Sequence, residues 1–318
     1  MNHSHHHAHG HAHDHVHSHI PAEYGRAFVL GIALNLGFVL IEAWYGWQSD
    51  SLALLADAGH NLSDVGGLAL AWAAYGAGKL LPNKRHSYGW RKASVLASFA
   101  NALVLLVAMG SLGWEAAQRL QHPTPVHSQT VMLVAAIGVV INTLTAWLFA
   151  AGQKHDLNLR GAFVHMAADA LVSAGVVVAG ALSLWQGWLW IDPVVSLVIA
   201  VVIIVGTWSL FRQSLHLLFD GVPEHIDLDE VREHLAALPG VVAVHDLHVW
   251  GMSTAENALT AHLVTDRPPT DTDALLAQAS DMLSQHFGLR HATIQIESHD
   301  YARACPSAHC AQTEQAAP

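Results

Sequence analysis

Two stretches of this 318-residue chain share one pattern, His60-Asn-Leu-Ser-Asp64 and His165-Met-Ala-Ala-Asp169. In each, a histidine precedes an aspartate by four positions. If the stretches are helical, residues i and i+4 share a face, so each presents an imidazole beside a carboxylate. Two such pairs facing one another supply two nitrogens and two oxygens, a closed tetrahedral donor set that suits zinc. An all-carboxylate site would favour harder ions such as manganese.

Both stretches lie inside long apolar segments, which are drawn at residues 27–48, 52–80, 94–118, 129–151, 157–186 and 191–213. Each is long enough for a bilayer core of about 30 Å, which needs about 20 helical residues. The composition agrees: charged residues are 12% and apolar residues 52% of the chain, against roughly 25% and 45–50% for ordinary globular domains. Gly66, Gly67 and Gly76 in the second span are expected to let helices approach closely.

Lys79, Lys84, Arg85, Arg91, Lys92, Lys154 and Arg160 sit in the connections on one side, and Arg119, Asp50 and Asp192 on the other. The positive-inside rule then puts both termini in the cytoplasm. In this arrangement each His/Asp pair lies about 8–12 residues from a helix end, or ~12–18 Å deep, near the midplane. A carboxylate at that depth costs several kcal/mol unless paired or hydrated, so it marks a functional site by default. Asp57, one turn before His60, is expected to support the site or to meet water at its outer mouth. Glu42 and Asn142 read as packing or lumen polar residues.

From about Asp220 the pattern becomes that of a soluble domain. Leu228, Val231, Leu235 and Leu238 repeat at helical spacing; Val241–Trp250, Ala258–Thr265 and Thr293–Glu297 read as strands, with a second helix around Leu275–Leu283. The fold class is therefore an α-helical membrane protein with six transmembrane helices plus a small cytoplasmic α+β domain (α-β-β-α-β, ferredoxin-like). The expected division is 1–23 as a His-rich tail, 24–215 as the membrane domain, 216–300 as the metal-binding and dimerisation domain, and 301–318 as a tail.

Ten histidines fall between His3 and His19. A purification tag is usually uninterrupted, whereas an alternating His-x-His tract reads as a weak metal collector. No apolar signal-peptide core precedes the first span. Cys305 and Cys310 stand alone in a polar tail, where close spacing suggests metal rather than a disulfide framework. His245, His248, His262 and Glu297 fall on the three strands, and neighbouring antiparallel strands can bring such residues together. The net charge of −11, concentrated toward the C terminus, argues against nucleic acid. Without a Gly-x-x-x-x-Gly-Lys motif no ATP is expected, and without His-Glu-x-x-His no enzyme is expected.

With these motifs, the chain resembles the cation diffusion facilitator family, in its zinc-type branch. The resemblance runs from Tyr24 to Glu297 and includes the His86-Ser-Tyr-Gly-Trp90 loop. It implies a homodimer in a bacterial inner membrane, each protomer exchanging zinc for protons by alternating access. It also implies a loop metal site, of which only His86 is present because Trp90 takes another ligand's place. A dimer-holding pair maps to Lys92 and Asp220, and a cytoplasmic zinc site to His245, His262 and Glu297. Relatives carry His and Asp on the third strand where Gln295 and Glu297 stand here. The segment Cys305–Cys310 resembles the tail cysteines of the vertebrate members. A membrane-bound zinc sensor or storage protein remains the alternative, since the His tract and strand histidines would serve it without transport.

Overall fold

The structure is a computed structural model and describes residues 22–122, 124–150, 157–266 and 272–303. Six long helices come first: α1 Ala22–Gln48, α2 Leu52–Gly78, α3 Ala93–Gln121, α4 Ser128–Ala150, α5 Leu157–Gln186 and α6 Ile191–Leu218. The apolar segments fix all six, although α6 continues to Leu218 rather than stopping at 213. Four segments among the described residues are long and apolar enough to cross a membrane by length and composition: Ala93–Gln121, Ser128–Leu148, Phe163–Gln186 and Ile191–Leu218. Helix α2 is less apolar because it carries Asp57, His60, Asn61 and Asp64, and Asp57 and Asn61 are turned inward and buried.

Outside, the bundle is apolar, as a lipid-facing surface must be. Trp44, Trp47, Trp114 and Trp185 are exposed near the ends of α1, α3 and α5, with Trp188 and Trp190 in the turn before α6. All six lie at one end of the bundle, the position of an interfacial aromatic belt. Inside, Phe38, Leu54, Leu105, Met109, Val134 and Ile199 pack as one cluster.

Close approach is local. A Cβ on Gly67 would lie 2.8 Å from Asn101 Nδ2, so this glycine lets α2 dock on α3. Gly66 and Gly76 face open space within 4 Å, which corrects the expectation that all three glycines serve contact.

The start of α2 is anchored from another helix. Ser51 caps it by accepting from Leu54 N at 3.3 Å. Ser51 Oγ also donates to Asp192 Oδ1 at 2.5 Å, and Leu52 N donates to Asp192 Oδ2 at 3.0 Å. Asp192 is in the first turn of α6 and is buried, so a carboxylate satisfies donors that a helix start leaves over.

The small domain runs α7 Leu228–Ala236, β1 Val241–Gly251, β2 Asn257–Thr265, α8 Thr272–Phe287, β3 His291–Ser298 and α9 His299–Arg303. Its sheet order is β1-β2-β3, with β1 and β2 antiparallel and β2 and β3 parallel. The parallel pair corrects the expectation of antiparallel neighbours: a crossover through α8 returns the chain in the same direction. Val231, Leu235, Leu259, Leu263 and Leu283 fill the space between helices and sheet. The short α9 extends to Arg303, into the segment expected to be a tail from residue 301.

One hydrogen bond and two ion pairs hold this domain to the bundle. Thr254 N donates to Ser94 Oγ at 3.1 Å, Arg91 pairs with Glu256 at 3.1 Å, and Lys92 at the start of α3 pairs with Asp220 after α6.

Candidate metal centre

Helices α2 and α5 approach one another only locally, and the two His/Asp motifs meet there. His165 Nε2 lies 3.0 Å from Asp64 Oδ2 and 3.7 Å from Asp169 Oδ2. His60 Nε2 lies 3.6 Å from Asp64 Oδ2 and 3.7 Å from Asp169 Oδ1. The two imidazoles are edge to face, with centroids 5.7 Å apart. Donor atoms about 2.0–2.2 Å from a tetrahedral ion stand roughly 3.3–3.6 Å from each other. The observed imidazole–carboxylate separations bracket that value, and donor atoms of His60, His165 and Asp169 all lie within 4.8 Å of one another.

Burial is graded through the group. The Asp169 side chain is 3% exposed, that of His60 23%, Asp64 34% and His165 40%. Asp64 and His165 lie toward the Gly78 end of α2 and the Leu157 end of α5, the face that carries the small domain. In this conformation the site is therefore open toward the small domain and closed toward the tryptophan-rich end. Asp169 Oδ2 and His60 Nδ1 are buried without a hydrogen-bond partner. A buried carboxylate oxygen left this way is costly, and a cation among the four side chains removes the cost at Asp169.

Asp57 stands one turn closer to the closed end. Its Oδ2 accepts from Ser173 Oγ at 3.0 Å and its Oδ1 from Asn61 Nδ2 at 3.4 Å. It thus ties α2 to α5 beside the four candidate ligands, fitting the first of the two roles expected for it.

A second group forms in the small domain. The β1–β2 register sets His245 opposite His262, and the rings are 5.0 Å apart. Glu297, on β3, reaches both: its Oε2 is 3.0 Å from His245 Nε2 and its Oε1 is 2.8 Å from His262 Nδ1. The His262 contact lacks hydrogen-bond geometry despite its length, as for donor atoms aimed at a common point. Two imidazoles and a buried carboxylate on a sheet fit a zinc ion with one position left for a further ligand.

Among the described residues His248 is not part of that group of three. Its side chain is 51% exposed and its Nε2 lies 3.1 Å from Asp246 Oδ1. The β1–β2 register breaks between His245 and His248, where Asp246 takes φ of 50°, and resumes with His248 opposite Thr260. The break also brings Asp246 Oδ2 to 3.7 Å from His262 Nε2. Sequence reasoning missed Asp246, because strand alternation puts it on the opposite face and only a bulge returns it.

His86 is exposed in the α2–α3 loop, with its ring 4.4 Å from that of Trp90. Among the described residues it belongs to no group of three potential ligands, so the loop site implied by the resemblance is not assembled. Lys92 and Asp220 form their ion pair within one chain, both side chains exposed. Cys305, Cys310 and the histidines between His3 and His19 lie outside the described residues.

A six-helix membrane bundle with imidazoles and carboxylates converging between two helices, joined to a small α+β domain, has the architecture of a metal-cation transporter. The chain belongs to the cation efflux family: its residues 28–219 match the cation efflux transmembrane domain and residues 223–299 the cytoplasmic domain of cation efflux proteins. It is similar to the zinc transporter ZitB of Escherichia coli, 37% identical over 86% of this chain and 87% of the relative. It is similar also to the metal cation efflux system protein CzcD of Cupriavidus metallidurans, 34% identical over 94% of this chain and 93% of the relative. A third relative, the cadmium, cobalt and zinc/H(+)-K(+) antiporter of Bacillus subtilis, is 32% identical over 88% of this chain and 92% of the relative.

These matches correct the ground on which catalysis was set aside. A missing His-Glu-x-x-His motif excludes one class of zinc hydrolase and leaves others open. The positive finding is family membership, and the family's role is the transport of metal cations out of the cell.

Proposed function

We propose that this protein exports zinc from the cytoplasm in exchange for protons by alternating access. The observation that carries this reading is the convergence of His60, Asp64, His165 and Asp169 at spacings suited to a tetrahedral ion. Zinc is the transported substrate there. An N₂O₂ set also accepts cadmium or cobalt, and the names of the relatives include those ions.

The exchange follows from the donors. Zinc binds neutral imidazole and ionised carboxylate, so binding releases protons and protonation releases zinc. Imidazole changes charge near neutral pH by default, so proton entry from outside favours unloading there. In this reading the open side of the site is cytoplasmic, both termini are cytoplasmic, and the membrane is the bacterial inner membrane.

The proposed division of labour follows the expected domain boundaries. Residues 24–215 carry zinc, and 216–300 hold a regulatory zinc at His245, His262 and Glu297 and join two copies into a homodimer. Residues 1–23 collect zinc near the entrance, and Cys305 and Cys310 add ligands from the tail at 301–318. The cytoplasmic domain of the family is its dimer domain, which supports the homodimer.

Calorimetry of zinc binding to the full chain, in buffers of different ionisation enthalpy, tests the linkage. Proton release on binding that is lost in Asp64→Asn supports exchange. Zinc binding with no proton release contradicts it, and points to a sensor whose membrane site serves another purpose.

A further inference from the structure

Glu42, in the last third of α1, is 0% exposed, and neither of its carboxylate oxygens has a hydrogen-bond donor. Its neighbour across the α1–α2 interface is the Asp57 carboxyl. Neither is ion-paired with His60 or His165, whose carboxylate contacts are Asp64 and Asp169. Two carboxyl groups facing one another in a membrane interior cannot both be ionised without strong repulsion, and they can hydrogen-bond only if one is protonated.

The local partners decide which one holds the proton. Asp57 accepts the Ser173 hydroxyl at 3.0 Å and the Asn61 amide at 3.4 Å, so both of its oxygens already act as acceptors. Glu42 receives none. We propose that Glu42 and Asp57 form a proton-binding site, with the proton on Glu42 donated to Asp57, separate from the four candidate metal ligands and on their closed side.

Among the described residues no lysine or arginine pairs with either carboxyl. The titratable groups that bear on the pair are Asp169 of α5 and His60 of α2. Helix α4, also packed on α1, has no titratable residue, and Asp192, Glu115 and Arg119 of α6 and α3 lie at the closed end. Because Ser173 comes from α5 while Asp57 sits on α2, parting those helices toward the tryptophan-rich end removes that donor and hydrates the pair. The site then releases or takes up its proton on the side opposite to metal entry. Existence of the bound proton does not depend on the proposed antiport; only its contribution to exchange rests on that reading.

Infrared difference spectroscopy of the full chain in lipid at neutral pH tests the assignment. The native protein is expected to show the carbonyl stretch of a protonated, buried carboxyl, and Glu42→Gln to lose it. Asp169→Asn is expected to keep it. Glu42→Asp serves as a second variant, expected to shift the band rather than abolish it. Absence of the band in the native protein overturns the proposal whatever the variants do, as does its persistence in Glu42→Gln. Loss of the band on adding zinc to Asp169→Asn also overturns it, by making the pair metal ligands. None of these readouts measures transport, so a failed antiport experiment and a failed proton site remain distinguishable.

Discussion

His165 Nε2 and Asp64 Oδ2 are 3.0 Å apart although 101 residues separate them in the chain. That contact across helices is shorter than the His/Asp distance within either motif, 3.6 Å in α2 and 3.7 Å in α5. The site is thus made by docking α2 on α5, and a relative movement of the two helices opens or closes it. A donor set that exists in full only in the docked arrangement can bind and then surrender an ion, as a transporter requires.

Removing one donor should therefore cost affinity and leave the fold standing. Changing even a residue that only orients a metal ligand lowers affinity by about 10–100-fold, and losing a ligand costs at least as much. His165→Ala should weaken zinc binding by more than about 100-fold, read by competition with a chelator. An unchanged affinity, with the cytoplasmic set also removed, would show that zinc binds elsewhere in the membrane domain.

Selectivity should follow the donor type. His60→Asp turns two nitrogens and two oxygens into one nitrogen and three oxygens, which favours harder ions. Manganese should then compete with zinc markedly better than in the native protein, as measured by equilibrium binding of both ions. An unaltered preference would argue that cavity shape rather than ligand chemistry selects the ion.

The membrane site was legible because helical periodicity is rigid: with a repeat of four, His60 and Asp64 must share a face whatever else the chain does. The strand set was half legible. Alternation places His262 and Glu297, but the bulge that turns Asp246 toward His262 depends on cross-strand pairing, which sequence spacing does not encode. Glu42 and Asp192 were visible only as stray acids. Their roles come from contacts with Asp57 and Ser51 on other helices, and such pairings leave no local pattern.

Asp192 supplies the next expectation. Asp192→Ala leaves the buried Ser51 hydroxyl and the Leu52 N–H without their acceptor, a loss of about 1–3 kcal/mol. Thermal unfolding in detergent should move clearly downward. A midpoint equal to the native value would mean that water replaces the carboxylate there.

Lys92→Ala is the contrasting case. The Lys92–Asp220 pair has side chains 42% and 63% exposed, and exposed pairs are worth about 0–1 kcal/mol. The same unfolding measurement should barely move. A large fall would indicate that the pair is shielded in the assembled protein, as at a subunit boundary.

Zinc bound in the small domain should be separable from zinc that is carried. Glu297→Ala removes the carboxylate shared by His245 and His262. Metal analysis should find one zinc fewer per chain, while transport continues at a measurable rate. Complete loss of transport in a folded variant would make the cytoplasmic site part of the carrying path.

Zinc flux into proteoliposomes carrying an imposed pH gradient tests the central claim most directly, with the native chain set against Asp169→Ala. Asp169 is the most buried of the four candidate ligands, its side chain 3% exposed. Zinc that moves with the proton gradient in the native protein, and fails to move in a folded Asp169→Ala variant, is the predicted result. Zinc carried equally well by the variant, or bound by the native protein and never carried across, would contradict it.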